Sequence, residues 1–323
     1  MPLYANAQYR VGYQGYMKYK AQAARLVAGN TIGDPAEVAT VNGLVGYCSL
    51  PGWTVTENRV PVQAIGSMRD EDEIPTCRHS TIATRILVAD GTFLLDAIRD
   101  HADPDAAGTV SGLPLNTIEF GSATDFGAGQ VWAKQGLDTL FNTLRIEYAE
   151  NQPLVATVDL MPICFIAATG QTKAVPTAQV LHWKDFAYTV GGTDYRPINA
   201  RTTVNITNGV IRHGMRQQFN ALGATELAIS RTPLALLPVL EGVTVAHNWH
   251  DQLPAALADS DDWGAVTLRA EEVGAGAGRQ YFQIVIDHNY LQRYGGQQVQ
   301  ANQPMAWTSD NVSRVITMTT GVT

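Results

Sequence analysis

The residue types able to do chemistry are present in this chain, but their spacing does not gather them into a reaction centre. Gly274-Ala-Gly-Ala-Gly-Arg279 has the glycine density of a phosphate-binding loop. Such a loop works because amides at the start of a helix point at the phosphate, with a Lys-Ser/Thr pair following. Here the glycines lie between two strand-like segments and no such pair follows, so a hairpin turn is expected. Phe126-Gly-Ala-Gly-Gln130 fails in the same way. His247 and His250, three apart and beside Asp251, form the one histidine cluster. A metal there needs a third ligand, and none is near in sequence. The remaining histidines are scattered, and no Gly-x-Ser-x-Gly elbow occurs. Cys48, Cys77 and Cys164 are far apart and form no CxxC, so they read as small buried hydrophobes. Asp70-Glu71-Asp72-Glu73 and Asp259-Ser-Asp-Asp262 are acidic runs. Glycoside hydrolysis needs one carboxyl with a raised pKa in a pocket. Contiguous carboxylates in a loop are solvated instead, so both runs read as solvent-facing or partner-facing. Asn205-Ile-Thr207 and Asn311-Val-Ser313 fit the glycosylation pattern by chance, since no secretory leader is visible. The expectation is a protein with no catalytic activity, no cofactor and no metal.

The elements that would carry these residues are β in pattern. Trp53–Ile65 alternates and stops at Gly66. A charged loop, Ser67–Pro75, follows. Ser80–Ala89 is β-branched and ends at the turn signal Asp90-Gly91. Thr92–His101 reads as a helix of a few turns, capped by Thr92, with Phe93, Leu94, Ala97 and Ile98 on one face. Leu115–Phe120 is a short strand. Leu140–Tyr148, a turn at Glu150–Pro153 and Leu154–Met161 make a hairpin. Ala167–Thr177 is small, polar and unpatterned, and reads as the domain boundary. The second half then repeats the order: strand, long polar loop, strand, short helix (His250–Asp259), strand, hairpin, with a last strand at Ser313–Thr320. The opening residues differ. Tyr4, Tyr9, Tyr13, Tyr16 and Tyr19 lead into Lys20–Val27, read as a short helix in an arm or covering segment.

Composition bounds the class. The 323 residues are 45% hydrophobic and only 16% charged, which excludes disorder for most of the chain. Gly 29 and Pro 15 favour many turns and a β-rich architecture. A formal net charge of −8 excludes the cationic footprint of a tight nucleic-acid binder. It suits a duct through which DNA slides, because cationic walls would hold the phosphates. The longest apolar stretch, Ala156–Ala168, is broken by Asp159 and Pro162 and is too short to cross a bilayer, so a soluble, cytoplasmically made protein is expected. The six tryptophans read as core and interface anchors.

Asn142-Thr-Leu-Arg-Ile-Glu-Tyr148 with Val155-Ala-Thr-Val-Asp159 resembles the hairpin of tail tube (major tail) proteins from long-tailed bacteriophages. Thr203–Val210 is similar to the strand-into-Asn element of the same family, and Pro51–Gly66 resembles the corresponding element of the first half. The resemblance covers most of residues 45–323. It implies two tandem tail-tube-like β-barrel or β-sandwich domains, each with one short flanking α-helix. Residues 1–42 would be an N-terminal arm, 43–170 the first domain, and 171–323 the second domain with a C-terminal arm after Tyr294. Six domains would form a pseudo-hexameric trimeric ring, and rings would stack into the tube that conducts DNA. Inter-ring contacts would come from Asp70, Glu71, Asp72 and Glu73, with Arg216, Gln217 and Gln218 at the equivalent place in the second half. The partners implied are other copies of the chain, the tail terminator and the tail-tip or baseplate proteins. The tape measure protein and genomic DNA would pass through without specific binding. A lumen with excess carboxylates is the companion expectation. A tail terminator or baseplate ring protein, and a β-sandwich carbohydrate-binding protein, are the alternatives.

Overall fold

A computed structural model of the chain describes residues 15–22, 41–48, 51–63, 70–97, 115–123, 131–149, 152–162, 164–168, 176–190, 193–194, 198–207, 210–212, 229–231, 239–248, 262, 264–273, 277–287, 290–296, 307–312 and 315–322. The first half contains Gly15–Gln22 (β1), Gly43–Leu44 (β2), Tyr47–Cys48 (β3), Gly52–Gln63 (β4), Asp70–Leu87 (β5), Thr92–Leu95 (α1), Leu115–Ala123 (β6), Val131–Ala149 (β7), Val155–Met161 (β8) and Cys164–Ala168 (β9). The second contains His182–Val190 (β10), Thr193–Asp194 (β11), Ile198–Thr207 (β12), Val210–Arg212 (β13), Ile229–Arg231 (β14), Val239–Asn248 (β15), Val266–Glu271 (β16), Gln280–Asp287 (β17), Tyr290–Gly296 (β18), Trp307–Val312 (β19) and Val315–Val322 (β20). The protein is mainly β, and the sheets are antiparallel.

Three sheets account for nearly all the strands. One runs β4–β5–β8–β7–β12–β15–β19–β18. A second runs β2–β1–β6–β7–β9. The third runs β11–β10–β16–β17–β20. The nineteen-residue β7 belongs to both of the first two sheets. It changes sheets near Asp138, whose backbone is left-handed (φ 47°). Aspartate tolerates that region because its short side chain bonds locally or to a neighbour. Here Gln22 fixes it, donating from Nε2 to Asp138 Oδ1 at 2.9 Å and accepting from the Asp138 amide at 3.1 Å.

The same pairing scheme occurs twice. In the first half β1 pairs with β2 and β6, β6 with the first part of β7, and that part with β9. β4 pairs with β5, β5 with β8, and β8 with the rest of β7. In the second half β10 pairs with β11 and β16, β16 with β17, and β17 with β20. β12 pairs with β15, β15 with β19, and β19 with β18. The halves differ in that β7 is continuous where β17 and β18 are separate strands, in the added pairing of β3 with β5, and in the separate β13–β14 pair. Even a bulge recurs, between Phe141 and Thr143 against β8 and between Leu291 and Arg293 against β19. The two schemes meet at a seam, β7 with β12, running from Thr143↔Thr207 to Ala149↔Arg201.

Alternation along the strands makes the core. Ile82, Ile86, Leu144, Ile146, Ala156, Val158 and Leu160 point inward, while Ala83, Arg85, Arg145, Thr157 and Asp159 are exposed. Val204 and Ile206 extend the inward face across the seam, and Val266, Leu268, Phe282, Ile284 and Ile286 meet it from the third sheet, in one apolar cluster. Each such side chain contributes about 1.5–3 kcal/mol. α1 and the turn that follows it plug this cluster with Phe93, Leu94 and Ala97, all buried. The Phe93 ring lies 4.7 Å from Phe141 and 4.8 Å from Tyr19. Gly91 is needed by close approach, since a Cβ there would sit 2.2 Å from Phe282 Cδ2.

Several expectations are corrected. Neither half closes into a barrel among the described residues, because the long sheet ends in the edge strands β4 and β18. Lys20, Ala21 and Gln22 are not helical. They lie in β1, where pairing along all eight residues with β6 overrides the helix propensity of Lys, Ala and Gln. Asp70–Glu73 are not in a loop but open β5, paired with Pro61–Gln63. The described helix is four residues long, and Asp90 rather than Thr92 caps the turn, accepting from the Thr92 amide at 2.9 Å and its hydroxyl at 2.6 Å. The residues after Tyr294, read as an arm, supply β19 and β20 to two sheets. The expected helix at His250–Asp259 and the tyrosines before Tyr13, with Tyr13 itself, lie outside the described residues.

Burial also sets a pH response. It pushes the Tyr19 phenol from 10.0 up to about 12, with the Asp90 and Asp96 carboxylates adding to it, and the Cys48 thiol from 9.0 up to about 12. The native state therefore holds these protons at a pH where the unfolded chain releases them. Their contribution to stability is complete below the unfolded values and is lost as pH rises through about 12. Urea midpoints are expected to stay level between about pH 7 and 8.5 and to fall by about pH 11. A level midpoint throughout would contradict this burial.

Candidate functional site

Among the described residues the sequence's chemical candidates do not converge. Among the described residues no group of three His, Cys, Asp or Glu could hold a metal. The glycine-rich segment connects β16 to β17 as a hairpin, closed by Glu272 N–H donating to the Gln280 carbonyl at 3.0 Å and by Gln280 N–H donating to Glu272 Oε2 at 3.0 Å. Arg279 and Arg269 both pair with Glu271, at 3.0 and 2.5 Å. Asp262 accepts from the Gly264 amide at 2.8 Å and so serves a turn. His247 lies at the end of β15 opposite Trp307, and His250 is outside the described residues. Cys48 is half-buried and Cys164 buried. A pocket beside Leu44, Ala89 and Pro176 holds the one carboxylate of Asp90, already committed to Thr92.

Among the described strands, β4 and β18 end the long sheet on opposite sides, each with one neighbour. β4 corresponds to β12 in the repeated scheme, and the two differ in cover. Val204 on β12, beside β7, is 0% exposed, while its counterpart Trp53 on β4 is 36% exposed. Gly52 and Thr54 are exposed too, and Val55 is half-buried where its counterpart Ile206 is buried. The inner face of Trp53 is well seated. Its ring lies 5.6 Å from Phe165 and 6.4 Å from Trp132, with Lys134 Nζ 4.0 Å above it. Those contacts make its inner face a packing anchor.

The outward-facing side chains described on β4, β5, β7 and β8 are mostly polar, with both signs of charge. Thr54 and Thr81 share a hydroxyl hydrogen bond of 2.6 Å, and Thr143 donates to Asp159 at 2.9 Å. Arg145 pairs with Glu147 at 2.9 Å, and Arg85 stands exposed nearby. Among these described residues two cations, Arg85 and Arg145, stand with two carboxylates, Glu147 and Asp159.

The acidic run sits on a two-stranded arm. β5 gains its second neighbour, β8, only from Ile82 onward, so Asp70–Thr81 pairs with Thr54–Gln63 alone among the described strands. Such a ribbon is marginal by itself. The structure places Asp70, Asp72 and Glu73 opposite Gln63, Val62 and Pro61, and Glu71 between them. Arg216, Gln217 and Gln218 lie outside the described residues, between β13 and β14 in sequence. β18 was missed in sequence because Gly295-Gly296 interrupts any alternation. No protein-family model matches the chain, and no curated protein is significantly similar to it. Among the described residues no helix is long and apolar enough to cross a membrane.

Proposed function

We propose that the chain is a structural virion protein, a phage tail tube protein of the tandem two-domain type. It would polymerise into stacked rings that conduct DNA into the host. The observation that carries this reading is the duplicated pairing scheme joined in one sheet whose two free edges face opposite ways. A sheet built from two equivalent units with complementary open ends continues from copy to copy, and ring closure removes the edges. Eight strands per chain in three chains make 3 × 8 = 24 strands around the ring. That exceeds the 16–18 strands of porins, which already leave an aqueous channel. The polar outward face, with both signs of charge, would line the duct and let phosphates slide past. The tail terminator and the tail-tip or baseplate proteins would meet the tube's ends, and the tape measure protein would fill it before DNA.

Negative-stain electron microscopy across a concentration series, with light-scattering mass beside it, tests this. Hollow rods of uniform width and a trimer mass are expected. A single ring that never stacks would favour a terminator or baseplate protein, and a monomer at every concentration would overturn the reading.

A further inference from the structure

The repeat fixes not only that the edges are open but which residues of a second copy each edge would meet. Correspondence between the halves follows from shared neighbours. Trp53 faces Ile82, which faces Leu160, which faces Phe141. Val204 faces Val243, which faces Asn311, which faces Leu291. Trp53 therefore corresponds to Val204, and Phe141 to Leu291. Counting on from the common bulge, Leu144 corresponds to Tyr294 and Ile146 to Gly296. At the seam, Val204 faces Ile146, Ile206 faces Leu144, and Thr207 faces Thr143.

Resting on the ring-forming reading, we propose that β4 of one copy pairs antiparallel with β18 of the next in the register of the β7–β12 seam. Trp53 then lies opposite the partner subunit's Gly296, Val55 opposite the partner subunit's Tyr294, and Thr56 opposite the partner subunit's Arg293. Two independent features agree with this occupant. The exposure of Gly52, Trp53 and Thr54 is what their counterparts Thr203, Val204 and Asn205 would show if β7 were removed, since Thr203 and Val204 are buried and Asn205 half-buried beside that strand. And where the seam sets Val204 against Ile146, the proposed junction sets tryptophan against glycine, a large-for-small exchange that keeps the paired volume and places an aromatic over a strand glycine. Because the two edges are different strands at opposite ends of the sheet, the contact is heterologous and propagates around a ring.

The test is oxidation of cysteine pairs in the full-length protein, read by non-reducing electrophoresis and mass spectrometry of linked peptides. T56C with R293C is expected to give intermolecular disulfides ending in a closed trimer. T54C with G295C is the second in-register pair. T54C with R293C, two residues out of register, is expected to link at least about tenfold less, since a disulfide needs Cβ atoms within about 4.5 Å. T143C with T207C at the seam should close within one chain and reports on folding. Trimers by mass without the in-register link would overturn this junction and leave the ring reading standing. A link between two copies of T56C would overturn it in favour of a symmetric β4–β4 dimer. In-register links in open chains that never close at three would uphold the junction and sink the ring. A monomer throughout, with the seam disulfide formed, would overturn both.

Discussion

Reversing Asp70, Glu71, Asp72 and Glu73 to lysine is expected to abolish tubes while ring-sized oligomers persist. The run occupies the far end of the β4–β5 ribbon, beyond the part of β5 that pairs with β8. Among the described strands this arm is paired on neither side, and contacts from another molecule would stabilise it. In a stack of rings that molecule is the next ring, and four like charges at the arm's end would set its register electrostatically. Reversal changes four charges by two units each, taking the formal net charge from −8 to 0. Proteins near zero net charge associate non-specifically, so a second variant is required. Neutralisation by D70N, E71Q, D72N and E73Q leaves −8 + 4 = −4 and should also shorten or remove tubes. Ring mass by light scattering and rod length by electron microscopy read the two levels of assembly separately. Rods of normal length from both variants would remove the arm from the stacking contact.

The second large effect concerns stability. Lys18 Nζ and Glu119 Oε1 stand 2.8 Å apart with side chains 5% and 0% exposed, and Gln135 Nε2 donates to the other carboxylate oxygen at 3.2 Å. The three residues lie directly opposite one another on β1, β6 and β7, so the ion pair clamps the N-terminal strand to its sheet. Burial pushes the neighbouring Tyr16 phenol well above its ordinary value, with the charge of Glu119 adding to it. Glu119→Ala leaves an ammonium buried without its counter-charge and is expected to cost about 3–5 kcal/mol in urea unfolding. Lys18→Met with Glu119→Leu removes both charges at similar volume and should fall within about 1–2 kcal/mol of the parent. A single substitution as mild as the double would mean that the pair is not buried in solution.

How far these sites were legible varies with the range of the interaction that decides them. The β7–β8 hairpin was readable because Leu144, Ile146 and Tyr148 alternate with polar residues and a turn joins them to a second alternating run. The buried face of α1 and the turn after it followed from the spacing of Phe93, Leu94 and Ala97. β1 was misread because its helix-favouring residues are held extended by partners about a hundred positions away, including Gln22 with Asp138 at a separation of 116. The acidic run was misread because charge and lack of period say nothing about a strand whose pairing comes from the segment before it.

The sequence by itself determined the class. Periodicity two, turn residues and sparse charge specify antiparallel β structure. Those are local properties, set by side-chain alternation and turn chemistry. Only the tertiary structure decided that the halves share a sheet through β7 and β12, and that β4 and β18 have no second neighbour among the described strands. Edge and interior strands carry the same alternation. The difference between them is whether another strand lies alongside, which is a property of distant pairings that no window of sequence contains.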